Sequence, residues 1–130
     1  MLILALRTDK PEAELCLFEN NQQLACSTWQ AHRQLAETVH LKLKEFLAAE
    51  KKSLKDIEGI VIFKGPGSFT GLRIGFAVVN ALADSLDIPI VAGETAAWKQ
   101  NGIKHLLSSK NDVIALPEYG SLPHITLPKK

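Results

Sequence analysis

Between Lys64 and Gly71 the chain reads Lys-Gly-Pro-Gly-Ser-Phe-Thr-Gly, a glycine-rich turn between a dense apolar run and an amphipathic segment. Such a turn aims backbone N–H groups outward, and a following helix adds partial positive charge, so anion binding is the first chemistry it offers. The spacing departs from both standard forms. A Walker loop needs Gly, four residues, then Gly-Lys-Ser/Thr, and neither Gly65 nor Gly67 begins one. The dinucleotide fingerprint needs a third glycine where Thr70 stands. The plainer reading is a tight strand-to-helix turn in which Ser68 or Thr70 caps the helix, worth about 1 kcal/mol.

Other reactive side chains are more scattered. His32, His40, His105 and His124 include no pair four apart, and His32 and His40, two helical turns apart, reach one ion poorly. No metal and no cofactor are expected. Ser68 lacks the G-x-S-x-G setting of a nucleophile elbow, and no Ser/His/Asp set can be assembled. Cys16 and Cys26 are too few and too loosely spaced for a zinc ribbon or a disulfide framework. They read as two buried thiols of a cytoplasmic protein. Lys42, Lys44, Lys51, Lys52 and Lys55 read as a solvated helix face, with a weak RNA-facing patch as the alternative.

The elements that must position these residues follow from periodicity. The 130 residues, with a net charge of +1, suit one core and lack the basic footprint of a stand-alone nucleic-acid binder. Met1–Leu6 is apolar but too short for a signal peptide or a membrane span, so no membrane association is expected. Leu2–Leu6 is a strand covered on both faces. Glu14–Phe18 and Gln23–Trp29 alternate about an Asn20-Asn21 hairpin turn. From Arg33 to Glu50, Leu35, Val39, Leu43, Phe46 and Leu47 form one helical stripe. Ser53 with Asp56 resembles a capping box. Ile60–Lys64 is a central strand and Gly71–Leu86 a second helix, ended by Asp87-Ile88-Pro89. Ile90–Ala92 is a short strand, and a third helix runs from Glu94-Thr95 to about Leu106. The fold class is therefore α/β: an antiparallel meander followed by parallel βαβ units with flanking helices, the ribonuclease-H-like layout. Residues 1–111 form the domain. Residues 112–130 add one strand at Asp112–Leu116 and then a proline-broken extended or mobile tail, through Pro117, Gly120, Pro123 and Pro128 to Lys129-Lys130.

The second helix carries more apolar surface than one sheet needs. Leu72, Phe76, Val79, Ala83 and Leu86 make one stripe, and Ile74, Val78, Ala81 and Leu82 extend it around the circumference. Gly71 and Gly75, four apart, would let another helix approach closely. Either the neighbouring helix covers the excess or a protein partner does. The partner reading places Leu43, Leu72, Phe76, Val79, Ala83, Gly71 and Gly75 at the interface.

The run Gly65-Pro66-Gly67-Ser68-Phe69-Thr70-Gly71-Leu72-Arg73-Ile74-Gly75 resembles the signature of the TsaB family, formerly called YeaZ. Met1–Thr8, His32 at the head of the first helix, and Ile88-Pro89-Ile90-Val91 fit the same family, so the similarity covers about residues 1 to 105. The resemblance implies an actin-like, ribonuclease-H-like fold and a part in making threonylcarbamoyladenosine on tRNA. It implies a non-catalytic subunit that binds the transferase TsaD through its first two helices, with a TsaE-like ATPase joining them. Contact with tRNA would come only through the complex, and a homodimer could form in isolation. Two departures bear on chemistry. Most members end the first strand with Asp-Thr beside a nucleotide cleft, whereas this chain has Arg7, Thr8 and Asp9, a degenerate site. A guanidinium cannot accept from metal-bound water as a carboxylate does. The second half usual in the family is also missing. The competing reading is a small nucleotide- or anion-binding module built on Arg7 and the Gly65–Thr70 loop.

Overall fold

The computed structural model describes residues 1–31 and 34–117. Strands β1 (Leu2–Arg7), β2 (Glu12–Glu19) and β3 (Gln22–Gln30) form an antiparallel meander. Asn20 makes the β2–β3 turn with φ 54°, a conformation asparagine tolerates. Helix α1 (Leu35–Ala49) leads to a single 3-10 turn (Leu54–Asp56), whose Asp56 Oδ2 accepts from the Ser53 backbone N–H at 2.8 Å. Strand β4 (Gly59–Phe63) then lies parallel to β1, α2 (Phe69–Leu86) crosses back, and β5 (Ile90–Gly93) lies parallel to β4. Helix α3 (Trp98–Leu107) follows. The sheet order is β3-β2-β1-β4-β5, the mixed ribonuclease-H-like layout.

Alternation along the strands divides the core. Leu2, Leu4, Leu6, Leu15, Leu17, Ile60, Ile62 and Ile90 face α1 and α2, meeting Leu43, Leu47, Leu72, Phe76 and Val79. Ile3, Ala5, Cys16, Phe18, Val61 and Val91 face the other way, toward Trp98, Ile103 and Leu106 of α3. Both faces of the central strands are covered, which is why their sequences are continuous apolar runs.

Four expectations need correction. The second helix begins at Phe69, two residues early, because Ser68 Oγ accepts from the Gly71 N–H at 3.2 Å and makes Ser68 the cap. The third helix begins at Trp98, since Thr95 is left-handed, with φ 72°, and its Oγ1 accepts from the Ala97 N–H instead. Asp112–Leu116 forms no strand. Asn111 and Asp112 satisfy β5 with side chains: Asn111 Oδ1 accepts from the Ile90 N–H at 2.9 Å and Asp112 Oδ2 from the Ala92 N–H at 3.2 Å. Finally, Cys16 and Cys26 are not two buried thiols. They face each other across β2 and β3 and are bonded as a disulfide, with Cys26 exposed. The tail from residue 118, with Gly120, Pro123, His124 and Pro128, lies outside the described residues, as does His32.

Candidate functional site

The glycine loop is a packing device joined to the end of β1. Gly65 adopts φ 108°, open only to glycine without strain. A Cβ on Gly67 would run into Asp9, one on Gly71 into the Thr8 carbonyl oxygen, and one on Gly75 into the Thr8 hydroxyl. Thr8 is 1% exposed, and its Oγ1 donates to the Gly71 carbonyl at 2.8 Å, while the Ser68 N–H donates to the Asp9 carbonyl at 2.9 Å. Gly71 and Gly75 thus admit Thr8 rather than a helix from another protein, which corrects their expected place at an interface. Pro66 follows a cis peptide bond, and Phe69, 52% exposed, lies under the Arg73 guanidinium, 5.5 Å from its ring centroid.

Arg7, Thr8 and Asp9 do come together, but as a closed unit. Arg7 Nε and Nη2 donate to the two Asp9 carboxylate oxygens at 2.7 and 2.8 Å. The guanidinium lies 4.1 Å from the Phe63 ring centroid and 5.9 Å from that of Trp98. The hydrogen bond to Asp9 holds the Arg7 pKa above its ordinary value, against the opposing effect of burial. A guanidinium whose charge is matched by a bidentate carboxylate and whose face is stacked has little left for a phosphate. The contacts of Arg7 therefore do not favour the anion-binding module.

The apolar excess lies between α1 and α2. Leu43, Leu72, Phe76, Val79 and Ala83, expected at a partner interface, are at most 4% exposed and sit in the chain's own core. The sheet is the largest apolar surface available, and the strongest stripe of each helix turns toward it. What remains is the adjoining stripe. Ala77, Val78, Ala81 and Leu82 line an open groove of 460 Å³ together with His40, Leu43 and Leu54. The two helices run side by side in the same direction: Leu35 and Ile74 line one hollow and Leu47 and Leu86 another, so apolar lining continues along the pair. Ala77 and Ala81 are exposed, and Ile74, Val78, Leu82 and Leu86 are half-buried.

Other residues acquired roles that periodicity did not show. Asn80 of α2 donates from Nδ2 to the Ala115 carbonyl at 2.9 Å and accepts from its N–H at 2.8 Å. Lys99 Nζ of α3 donates to Glu14 Oε2 of β2 at 2.6 Å, on the same face of the sheet. Glu14, Cys16 and Cys26 place ligand-type atoms within 4.8 Å of one another, but both sulfurs are used in the disulfide. No helix among the described residues is long and apolar enough to cross a membrane.

Three comparisons place this architecture. A family model described as TsaD, tRNA N6-adenosine threonylcarbamoyltransferase, matches residues 29–99, more than half of the chain. The Escherichia coli tRNA threonylcarbamoyladenosine biosynthesis protein TsaB is 29% identical over 120 residues, covering 84% of this chain and 49% of the relative. The Buchnera aphidicola (Schizaphis graminum) protein of the same name is 34% identical over 84 residues, covering 60% of this chain and 40% of its own. A crystal structure of a Pseudomonas aeruginosa protein described as similar to peptidase YeaZ superposes with a TM-score of 0.67 and 28% identity, over 74% of this chain and 44% of that one. The chain spans about half, or less, of the length of the curated relatives it matches. With its glycine loop seated on the end of β1 and its sheet superposing on the YeaZ fold, the chain belongs to the tRNA N6-adenosine threonylcarbamoyltransferase family and, within it, to the TsaB (YeaZ) proteins.

Proposed function

We propose that this chain is a non-catalytic subunit that docks a TsaD-like partner and supports threonylcarbamoyladenosine formation on tRNA. The observation that carries this reading is the groove between α1 and α2, where Ala77, Val78, Ala81 and Leu82 remain available after the core is complete. A partner helix laid along it would bury apolar surface at about 25 cal/mol per Å². The names of the relatives support the pathway. The non-catalytic part of the proposal rests on Arg7, whose guanidinium is matched by Asp9 where a catalytic carboxylate would be needed. A TsaE-like ATPase would join through the partner, tRNA would contact the assembly, and a homodimer in isolation would use the same groove.

The test is a mixing experiment with the TsaD-like protein of the same organism, read by sedimentation velocity. The unaltered chain is expected to co-sediment, and Ala81→Glu to abolish the complex while leaving the melting temperature within a few degrees. Co-sedimentation unaffected by both Ala81→Glu and Ala77→Glu would overturn the proposal. Calorimetry with ATP and pyrophosphate tests the rival anion module, and micromolar binding would favour it.

A further inference from the structure

We infer that Cys16 and Cys26 form a thiol-exchange site, in which a small thiol attacks the Cys26 sulfur and Cys16 departs as the thiolate. The two residues are bonded and face each other across β2 and β3. Their surroundings differ sharply. Cys16 is fully buried, while Cys26 is exposed on the edge strand. Exchange at a disulfide requires the nucleophile to approach one sulfur from the side opposite the other. For Cys26 that approach comes from the edge beyond β3, where no further strand lies among the described residues. For Cys16 it would come through Ala5 of β1, its register partner, which is 0% exposed. Access therefore selects Cys26.

The leaving side is equipped for negative charge. Lys99 Nζ lies 3.3 Å from Cys16 Sγ and is held there by Glu14, 2.6 Å away. An ammonium beside the departing sulfur stabilises the thiolate and speeds exchange. Glu14 Oε2 itself stands 3.1 Å from Cys16 Sγ, so without Lys99 the new charge would form against a carboxylate. In the first step the electron pair of the incoming thiolate forms a bond to Cys26 Sγ, and the pair of the broken S–S bond leaves on Cys16 Sγ. No net oxidation occurs. A second thiolate then attacks the outer sulfur of the mixed disulfide, releasing the Cys26 thiolate and an oxidised small-molecule disulfide. Two thiols are oxidised, the protein pair is reduced, and the two protons end on the two cysteines. Run in reverse, the same steps attach the small thiol to Cys26.

The experiment exposes the oxidised 130-residue chain to reduced glutathione, quenches with acid, and maps the mixed disulfide by peptide mass spectrometry. The adduct is expected on Cys26. Lys99→Met should slow reduction about three- to tenfold, and Lys99→Arg should restore most of the rate. An adduct on Cys16, a Lys99→Met rate equal to that of the parent, or two free thiols in the air-oxidised protein would each overturn the inference. The mapping uses the unaltered chain and does not depend on whether either variant folds.

Discussion

The two faces of the sheet solve the same covering problem in opposite ways. On the α3 side a short helix is supplemented by side chains that close on one another: Arg7 on Asp9 and Phe63, Phe63 edge-on to Trp98 at 5.8 Å, and Lys99 on Glu14. On the other side two longer helices bury their strongest stripes and leave a second apolar stripe between them. The α3 face is closed by paired polar and aromatic side chains, whereas the α1/α2 face is closed only as a core. A chain can thus be fully folded and still carry an apolar surface that its own residues do not need.

The contrast is broken most severely at the joint between β1 and α2. Gly71→Ala is expected to cost about 3 kcal/mol or more, since its methyl meets backbone that cannot rotate away. Gly75→Ala, which meets the Thr8 side chain, should be milder and be partly rescued by Thr8→Ala; a thermal-denaturation double-mutant cycle measures that coupling. Phe76→Ala should cost about 3–5 kcal/mol in urea denaturation, as a core residue must, and not behave as a surface contact. On the α3 face, Arg7→Met should destabilise by about 2 kcal/mol in urea, because Asp9, with a side chain only 6% exposed, loses its partner. Asp56→Asn should have the smallest effect. Backbone and side-chain hydrogen bonds from Ser53, aided by Lys52 and Lys55, lower the Asp56 pKa against an opposing desolvation effect. The contribution is present above the ordinary carboxylate range and lost as pH falls through the lowered value, so parent and variant melting temperatures should converge on acidification.

Much of this architecture was legible from periodicity. The alternation of β2 and β3 about Asn20, the stripe of α1 and the apolar run of β4 follow from one-dimensional spacing, and each formed where spacing placed it. Which stripe of α2 faces the sheet did not. Leu72, Phe76 and Val79 form as plausible a partner surface as Val78 and Leu82 until the sheet claims one set. The disulfide was hidden by a local irregularity. A two-residue turn alone sets Cys16 opposite Ala25, but a register shift between Leu17 and Phe18 brings Cys26 there instead. A bulge of this kind leaves little trace in the pattern of residue types. The glycines were visible, but their purpose depended on Thr8, more than sixty residues away in sequence.

Thr8 has a mechanical consequence for the helix pair. Its carbonyl, seated under Gly71, and its side chain, seated under Gly75 and bonded to the Gly71 carbonyl, rivet the first turns of α2 to the end of β1. At the far end Leu47, Leu54 and Leu86 border an open hollow of 460 Å³. A visiting helix would therefore meet a rail pinned at its Thr8 end and bordered by open space beside Leu86.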